Sequence, residues 1–222
     1  MALKLFLNKE YDKLLAVELI CEGVPSPLLW SKYLKEEVYP KTNSSQPSQE
    51  ISNIEFREKS KGWKNFRIVI SSKRATTHIV SDFNYENSFF SCVLKRAVQR
   101  YSCYSCPAKA GRSNSDITLG DFWNYQSDDI IVDDDRGVSV VLANTEKGIH
   151  FLEGLTLTRR EFGEVMISVK SGTCSVYRKN FYKRINHKSV REEMAFLKRH
   201  VLIRRIVNKL LRLIRVNYLL KY

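Results

Sequence analysis

Hydrophobic positions along the chain alternate between strand-like and helix-like spacing. "LLAVELI" (14–20) has few polar interruptions and predicts a buried strand, while "ALKLFLN" (2–8) reads as the end of a helix. "CEGVPSPL" breaks the strand, because Gly23 permits unusual backbone angles and Pro25 and Pro27 block regular pairing. Ser26 then precedes the helical run "PLLWSKYLKEEVY", an N-cap with Pro27 at the tolerated first helical position. After the polar loop "PKTNSSQPSQE" (40–50), the alternating runs "ISNIEFRE", "NFRIVISS" and "THIVSDF" predict antiparallel strands. Helical spacing returns over "ENSFFSCVLKRAVQR" (86–100). "DITLGDF" and "VSVVLAN" predict two more strands around the acidic loop "DDIIVDDDRG", and "TEKGIHFLEGL" a helix capped by Thr145.

Without regular strand–helix alternation or an internal repeat, this order predicts an α+β fold. Its sheet is mixed and largely antiparallel, with flanking helices and a basic helical C-terminal tail. The expected division is a domain over 1–180 and the tail over 181–222.

Composition sharpens three points. With 43% hydrophobic residues the 222-residue chain can bury a core. No apolar run reaches the roughly 18 residues of a membrane span, and the N-terminus is charged too soon for a secretory signal. The expected location is cytoplasmic, with the inner face of the membrane as the tail's contact surface. The formal charge of +13 is concentrated at the end: Lys198 to Tyr222 holds eight Lys or Arg and no acid.

In that tail Ile203, Ile206, Val207, Leu210, Leu213 and Ile214 recur at three- and four-residue spacings, with Arg204, Arg205, Lys209, Arg212 and Arg215 largely between them. Such a helix suits an anionic membrane surface or an acidic partner groove. The plainer reading is a helix packed on the domain with solvated arginines. No nucleic-acid partner is expected, because the cations do not continue into an aromatic-interleaved groove.

Candidate chemistry centres on "YSCYSCPAKAGRSNSDITLGDFW" (101–123). The Cys103-x-x-Cys106 spacing directs two sulfurs to one point. The four histidines show no second paired spacing for zinc, and Pro107 and the following glycine suit a loop better than a thioredoxin-like helix start. An iron–sulfur cluster needs about four thiolates, and Cys21, in its own Gly/Pro turn, is a candidate third. Structural thiols remain the alternative. Cys92 reads as a core residue, and Cys174 has no partner nearby in sequence. Lys109 and Arg112 could neutralise a phosphate, Gly120 could admit a ligand, Asp121 could accept hydrogen bonds, and Phe122 and Trp123 offer stacking faces. The same residues also read as a strand ending in a turn over core aromatics.

Taken together, "ICEGVPS" (20–26), "CYSCPAKAGRSNSDITLGDFW" (103–123) and "DDDRGVSVVLANTEKG" (133–148) resemble the coenzyme F420 hydrogenase/dehydrogenase β-subunit family in content, order and spacing, over roughly residues 2–155. The resemblance implies a flavoprotein oxidoreductase with FAD and [4Fe–4S] clusters. It would pass electrons between a redox partner protein and a deazaflavin-type acceptor, in a setting such as surface-polysaccharide synthesis. By position it implies Cys21, Cys103 and Cys106 as cluster ligands. Lys109, Arg112, Asp116, Thr118, Gly120, Asp121 and Ser139 would line the flavin side. Family members carry a ferredoxin-like segment and a further cysteine before the helix matching "ALKLFLN". This chain begins inside that helix, which implies a fragment or a shortened relative. Glu22 and Asn124 stand where the family often has histidine and glycine. The rival reading is a non-catalytic accessory protein that docks through its basic helix.

Overall fold

The computed structural model describes residues 6–9, 11–74, 77–94, 98–109, 113–123, 125, 134–161 and 176–213. It groups the chain into two units, Met1–Glu22 with Tyr104–Ser171, and Gly23–Cys103 with Gly172–Tyr222. Among the described residues the architecture is α+β, with two three-stranded sheets.

The first unit holds β1 (Val17–Leu19), β5 (Ile117–Asp121) and β6 (Ser139–Ala143). β5 lies in the middle, parallel to β1 and antiparallel to β6, in register Val17↔Ile117 and Asp121↔Ser139. The strand expected over 14–20 is therefore shorter. It is also an edge, with Val17 and Leu19 at 51% and 72% exposure rather than buried. A single ladder partner gives it no second covered side. Phe122, Tyr125 and Val140 form a small apolar cluster backed by Val138 and Leu142. The helix after β6, Glu146–Leu152, begins where Thr145 Oγ accepts the Gly148 N–H, as its N-cap position predicts.

The second unit carries the antiparallel meander β2 (Ile51–Glu58), β3 (Arg67–Ser72) and β4 (His78–Phe83). Its helices are α1 (Pro27–Tyr33), α2 (Pro47–Glu50), α3 (Ser88–Leu94), α5 (Val176–Arg184) and α6 (Val190–Leu213); the first-unit helix is α4. Ser26 caps α1 by accepting the Leu28 N–H at 3.2 Å, and Pro27 occupies the first turn. The helix then widens into a π-helical stretch over Leu34–Val38.

Ile68, Ile70, Leu29, Tyr33, Phe89 and Cys92 meet in one core that also receives Phe181, Ile185, Val190 and Leu197. Burial pushes the Tyr33 phenol well above its ordinary range, although a hydrogen bond from Asn87 opposes the shift. The boundary expected at 180/181 lies within α5, and the first half of α6 is part of this core. Arg184 holds the buried Glu193 carboxylate by paired hydrogen bonds while its guanidinium lies 3.8 Å over the Phe196 ring. Glu36 accepts the Val190 N–H at 2.8 Å, satisfying one of the first donors of α6.

Candidate functional site

Two places carry the residues singled out by the sequence. The first, in the second unit, is the Gly-Val-Pro turn beside Cys103. Val24 O accepts the Arg100 N–H at 2.9 Å, Val98 O accepts the Ser26 N–H at 2.9 Å, and Pro25 bridges to Gln99. Gly23 sits at φ +108°, and a Cβ there would come within 2.8 Å of Gln99 Cδ, so only glycine fits. The chain then closes a short 3₁₀ turn over Tyr101–Cys103. This geometry aims the Val24 N–H at Cys103 Sγ, 3.3 Å away, while Val24 O lies 4.0 Å from the same sulfur.

The other two sequence-predicted ligands, Cys21 and Cys106, belong to the first unit. Cys21 is exposed, Cys103 and Cys106 are half-buried, and none of the three is in a disulfide. Cys92 is fully buried in the second-unit core, as its helical setting predicts. Cys174 lies outside the described residues. Among those residues, no group of three or more His, Cys, Asp or Glu side chains is arranged to hold a metal ion. Thiol sulfurs are donors that suit iron, and one of them, Cys103, has the Val24 N–H aimed at it; a [4Fe–4S] cluster takes about four such ligands.

The second place is β5 in the first unit. Asp116 is buried, and both carboxylate oxygens have protein partners: Oδ2 accepts the Ala16 N–H at 2.8 Å and Oδ1 accepts the Thr145 hydroxyl at 2.9 Å. Its backbone N–H returns a bond to Ala16 O at 2.8 Å. Thr118 donates to the Glu18 carboxylate and accepts from Asn144 Nδ2, both at 2.8 Å. Asn144 also donates to Ser115 O and Oγ. At Gly120 the backbone runs close to Ile20, whose Cδ1 a Cβ would meet at 2.4 Å. Asp116, Thr118 and Gly120 thus lock β5 against β1 and the start of α4.

Other residues of the set sit at the C-terminal end of the strand. Asp121 and Ser139 face each other directly across β5 and β6, half-buried and exposed respectively. Phe122 is buried in the small cluster, and Trp123 is 44% exposed. Lys109 is half-buried in the turn after Cys106, where its N–H donates to Cys106 O at 3.3 Å. Arg112, Asn124 and the acidic stretch 126–133 lie outside the described residues. This end of the sheet thus carries a carboxylate at Asp121, a hydroxyl at Ser139 and, two residues on from Asp121, the indole of Trp123.

Sequence reading missed Val24, Glu18 and Asn144. Val24 acts through its backbone N–H, to which its side chain gives no clue. Asn144 immediately precedes the Thr145 cap, but nothing in "LAN" shows that its amide turns back onto β5.

No curated protein and no solved structure matches this chain. The family described as the C terminus of the coenzyme F420 hydrogenase/dehydrogenase beta subunit matches residues 1–161. That span contains the Gly-Val-Pro turn, the cysteine pair and the whole β1–β5–β6 sheet. The chain belongs to this coenzyme F420 hydrogenase/dehydrogenase β-subunit family, by the family's C-terminal region, and its function is of that redox kind.

Proposed function

We propose that the chain is an electron-transfer module. A flavin (FAD) rests against the end of β5, and an iron–sulfur centre of the [4Fe–4S] type is ligated through Cys21, Cys103 and Cys106. The module joins a redox partner protein to a deazaflavin-type acceptor, in a pathway such as surface-polysaccharide synthesis. When bound, a flavin supplies the exchange between two-electron and one-electron carriers.

The observation that carries the reading is the Val24 N–H directed at Cys103 Sγ at 3.3 Å. It links two of the three family segments through the sulfur itself, and hydrogen bonds to ligand sulfurs are a principal control on cluster potential. Asp116, Thr118 and Gly120 act by holding β5 in place. Lys109 and Arg112 supply positive charge for a pyrophosphate, and Asp121 and Ser139 supply polar contacts to the cofactor.

The test is iron, acid-labile sulfide and flavin content of anaerobically purified and reconstituted protein, for wild type, Cys103→Ala and Asp121→Ala. Iron and sulfide that fall in Cys103→Ala, with flavin that falls in Asp121→Ala, support the assignment. Wild-type protein that takes up neither iron nor flavin overturns it.

A further inference from the structure

The apolar side of α6 changes faces partway along the helix. Val190, Glu193 and Leu197 share one face, each no more than 1% exposed, and that face packs into the second-unit core. At about 100° per residue the sequence positions that follow on that face are Val201, Arg204, Asn208 and Leu211, with Arg205 and Arg212 beside them, so the face is no longer uniformly apolar. Leu202, Ile203 and Ile206, with Leu210 and Leu213, fall about half a turn away. Leu202, Ile203 and Ile206 are between 51% and 59% exposed, and Val207, at the margin, is 40% exposed. A helix that only continued to pack on its own core would keep its apolar residues on one side.

We infer that the second half of α6 docks on an anionic lipid surface, with Leu202, Ile203, Ile206 and Val207 entering the headgroup boundary and the surrounding cations meeting lipid phosphates. Charge selects this occupant. From Lys198 to Arg212 the helix carries Lys198, Arg199, Arg204, Arg205, Lys209 and Arg212 and no acid. A second copy would bring the same six cations against them, whereas a negatively charged leaflet attracts each one. Long Lys and Arg stems can lie along apolar surface while their charges reach the headgroups. The helix lies on the surface rather than crossing it, since no described helix is long and apolar enough to span a membrane. Its first half fixes it to the body of the second unit through Val190, Leu197 and the Arg184–Glu193 pair. Docking therefore needs no new folding of this segment, so little ordering entropy opposes it.

Flotation of the full chain with vesicles decides the question. Wild type is expected to float with phosphatidylcholine vesicles containing about 30% phosphatidylglycerol, and to stay down with pure phosphatidylcholine. Lys209→Glu/Arg212→Glu should weaken partitioning by at least about fivefold per site. Ile203→Ser/Ile206→Ser should weaken it by roughly tenfold or more. Circular dichroism and sedimentation velocity on each protein establish that the fold is kept. Three results would overturn the inference: equal flotation with charged and neutral vesicles, flotation insensitive to Ile203→Ser/Ile206→Ser, or no flotation beside a self-association that Ile203→Ser/Ile206→Ser abolishes. The last would make a second copy the occupant. Because the wild-type lipid comparison needs no variant, a variant that fails to fold does not remove the test.

Discussion

Removing the Asp116 carboxylate separates two roles that the sequence alone merges: cofactor contact and structural tie. Asp116→Ala deletes the acceptors of the Ala16 N–H and the Thr145 hydroxyl, at 2.8 and 2.9 Å, and leaves the backbone bonds of residue 116 in place. Hydrogen bonds to a charged partner contribute about 1.5–3 kcal/mol each. Ala16 and Thr145 are half-buried, so water recovers part of both. The net cost to the first unit is about 2–4 kcal/mol. Because the chain has two units, a single global unfolding energy is a poor readout. Native-state amide exchange of segments 11–20 and 139–148 reports the local opening directly. If opening precedes exchange, those segments should exchange roughly 30- to 700-fold faster, by the free-energy equivalence of an equilibrium constant. Asp116→Asn keeps one acceptor and should fall between. Less than about threefold acceleration in both segments, together with lost flavin binding, would refute the structural assignment and make Asp116 a cofactor contact.

Gly148→Ala should destabilise the first unit strongly, because its Cβ would meet Asp116 O at 2.2 Å, and backbone cannot step aside as a side chain can. Gly120→Ala, which presses chiefly on the end of Ile20, should cost less; thermal midpoints compared side by side check the order. In the second unit, Arg184→Met should cost about 3–5 kcal/mol, read from native-state amide exchange of segments 181–197, by leaving the buried Glu193 carboxylate unpaired, and Arg184→Met/Glu193→Leu should regain much of it. The Ser60 N–H and the Arg67 guanidinium hold the Glu58 carboxyl down at about 2, below its ordinary 4.5. Folded protein therefore binds fewer protons than unfolded protein between those values, so this stabilisation is complete above about 4.5 and fades as pH falls toward about 2. The difference in thermal midpoint between wild type and Glu58→Gln should narrow across that window, and a constant difference would contradict it.

What the sequence made legible was local. Ser26 with Pro27, and Thr145 three residues before Gly148, show their capping roles in the string itself. The β2–β3–β4 meander follows from short alternating runs joined by short turns. The family is legible because three separate segments keep order and spacing. Long-range choices were hidden. Alternation in "LLAVELI" gives no partner, so neither its parallel pairing with β5 nor its edge position could be read. "DITLG" shows two polar residues and a glycine suited to a cofactor. It does not show that Ala16, Glu18 and Ile20 take them up first. Likewise the spacing of the basic tail marks an amphipathic helix, but the change of face becomes visible only once Leu197 is known to be buried and Ile203 exposed.

The pairing of β1 with β5 also has a temporal meaning. Val17 and Ile117 are register partners, so β1 leaves the ribosome long before the strand that will hold it. At about 5–20 residues per second, the wait is on the order of 5–20 s. Throughout that time Val17, Leu19 and Ile20 have no ladder, and the closure they await is a large loop with a correspondingly slow approach. An apolar strand with unpaired N–H and C=O groups is the sort of segment other chains capture. Production of this protein should therefore be limited by trapping of nascent chains rather than by stability once folded. Slower synthesis at low temperature, or an added charge at an exposed β1 position such as Val17, is where yield should respond.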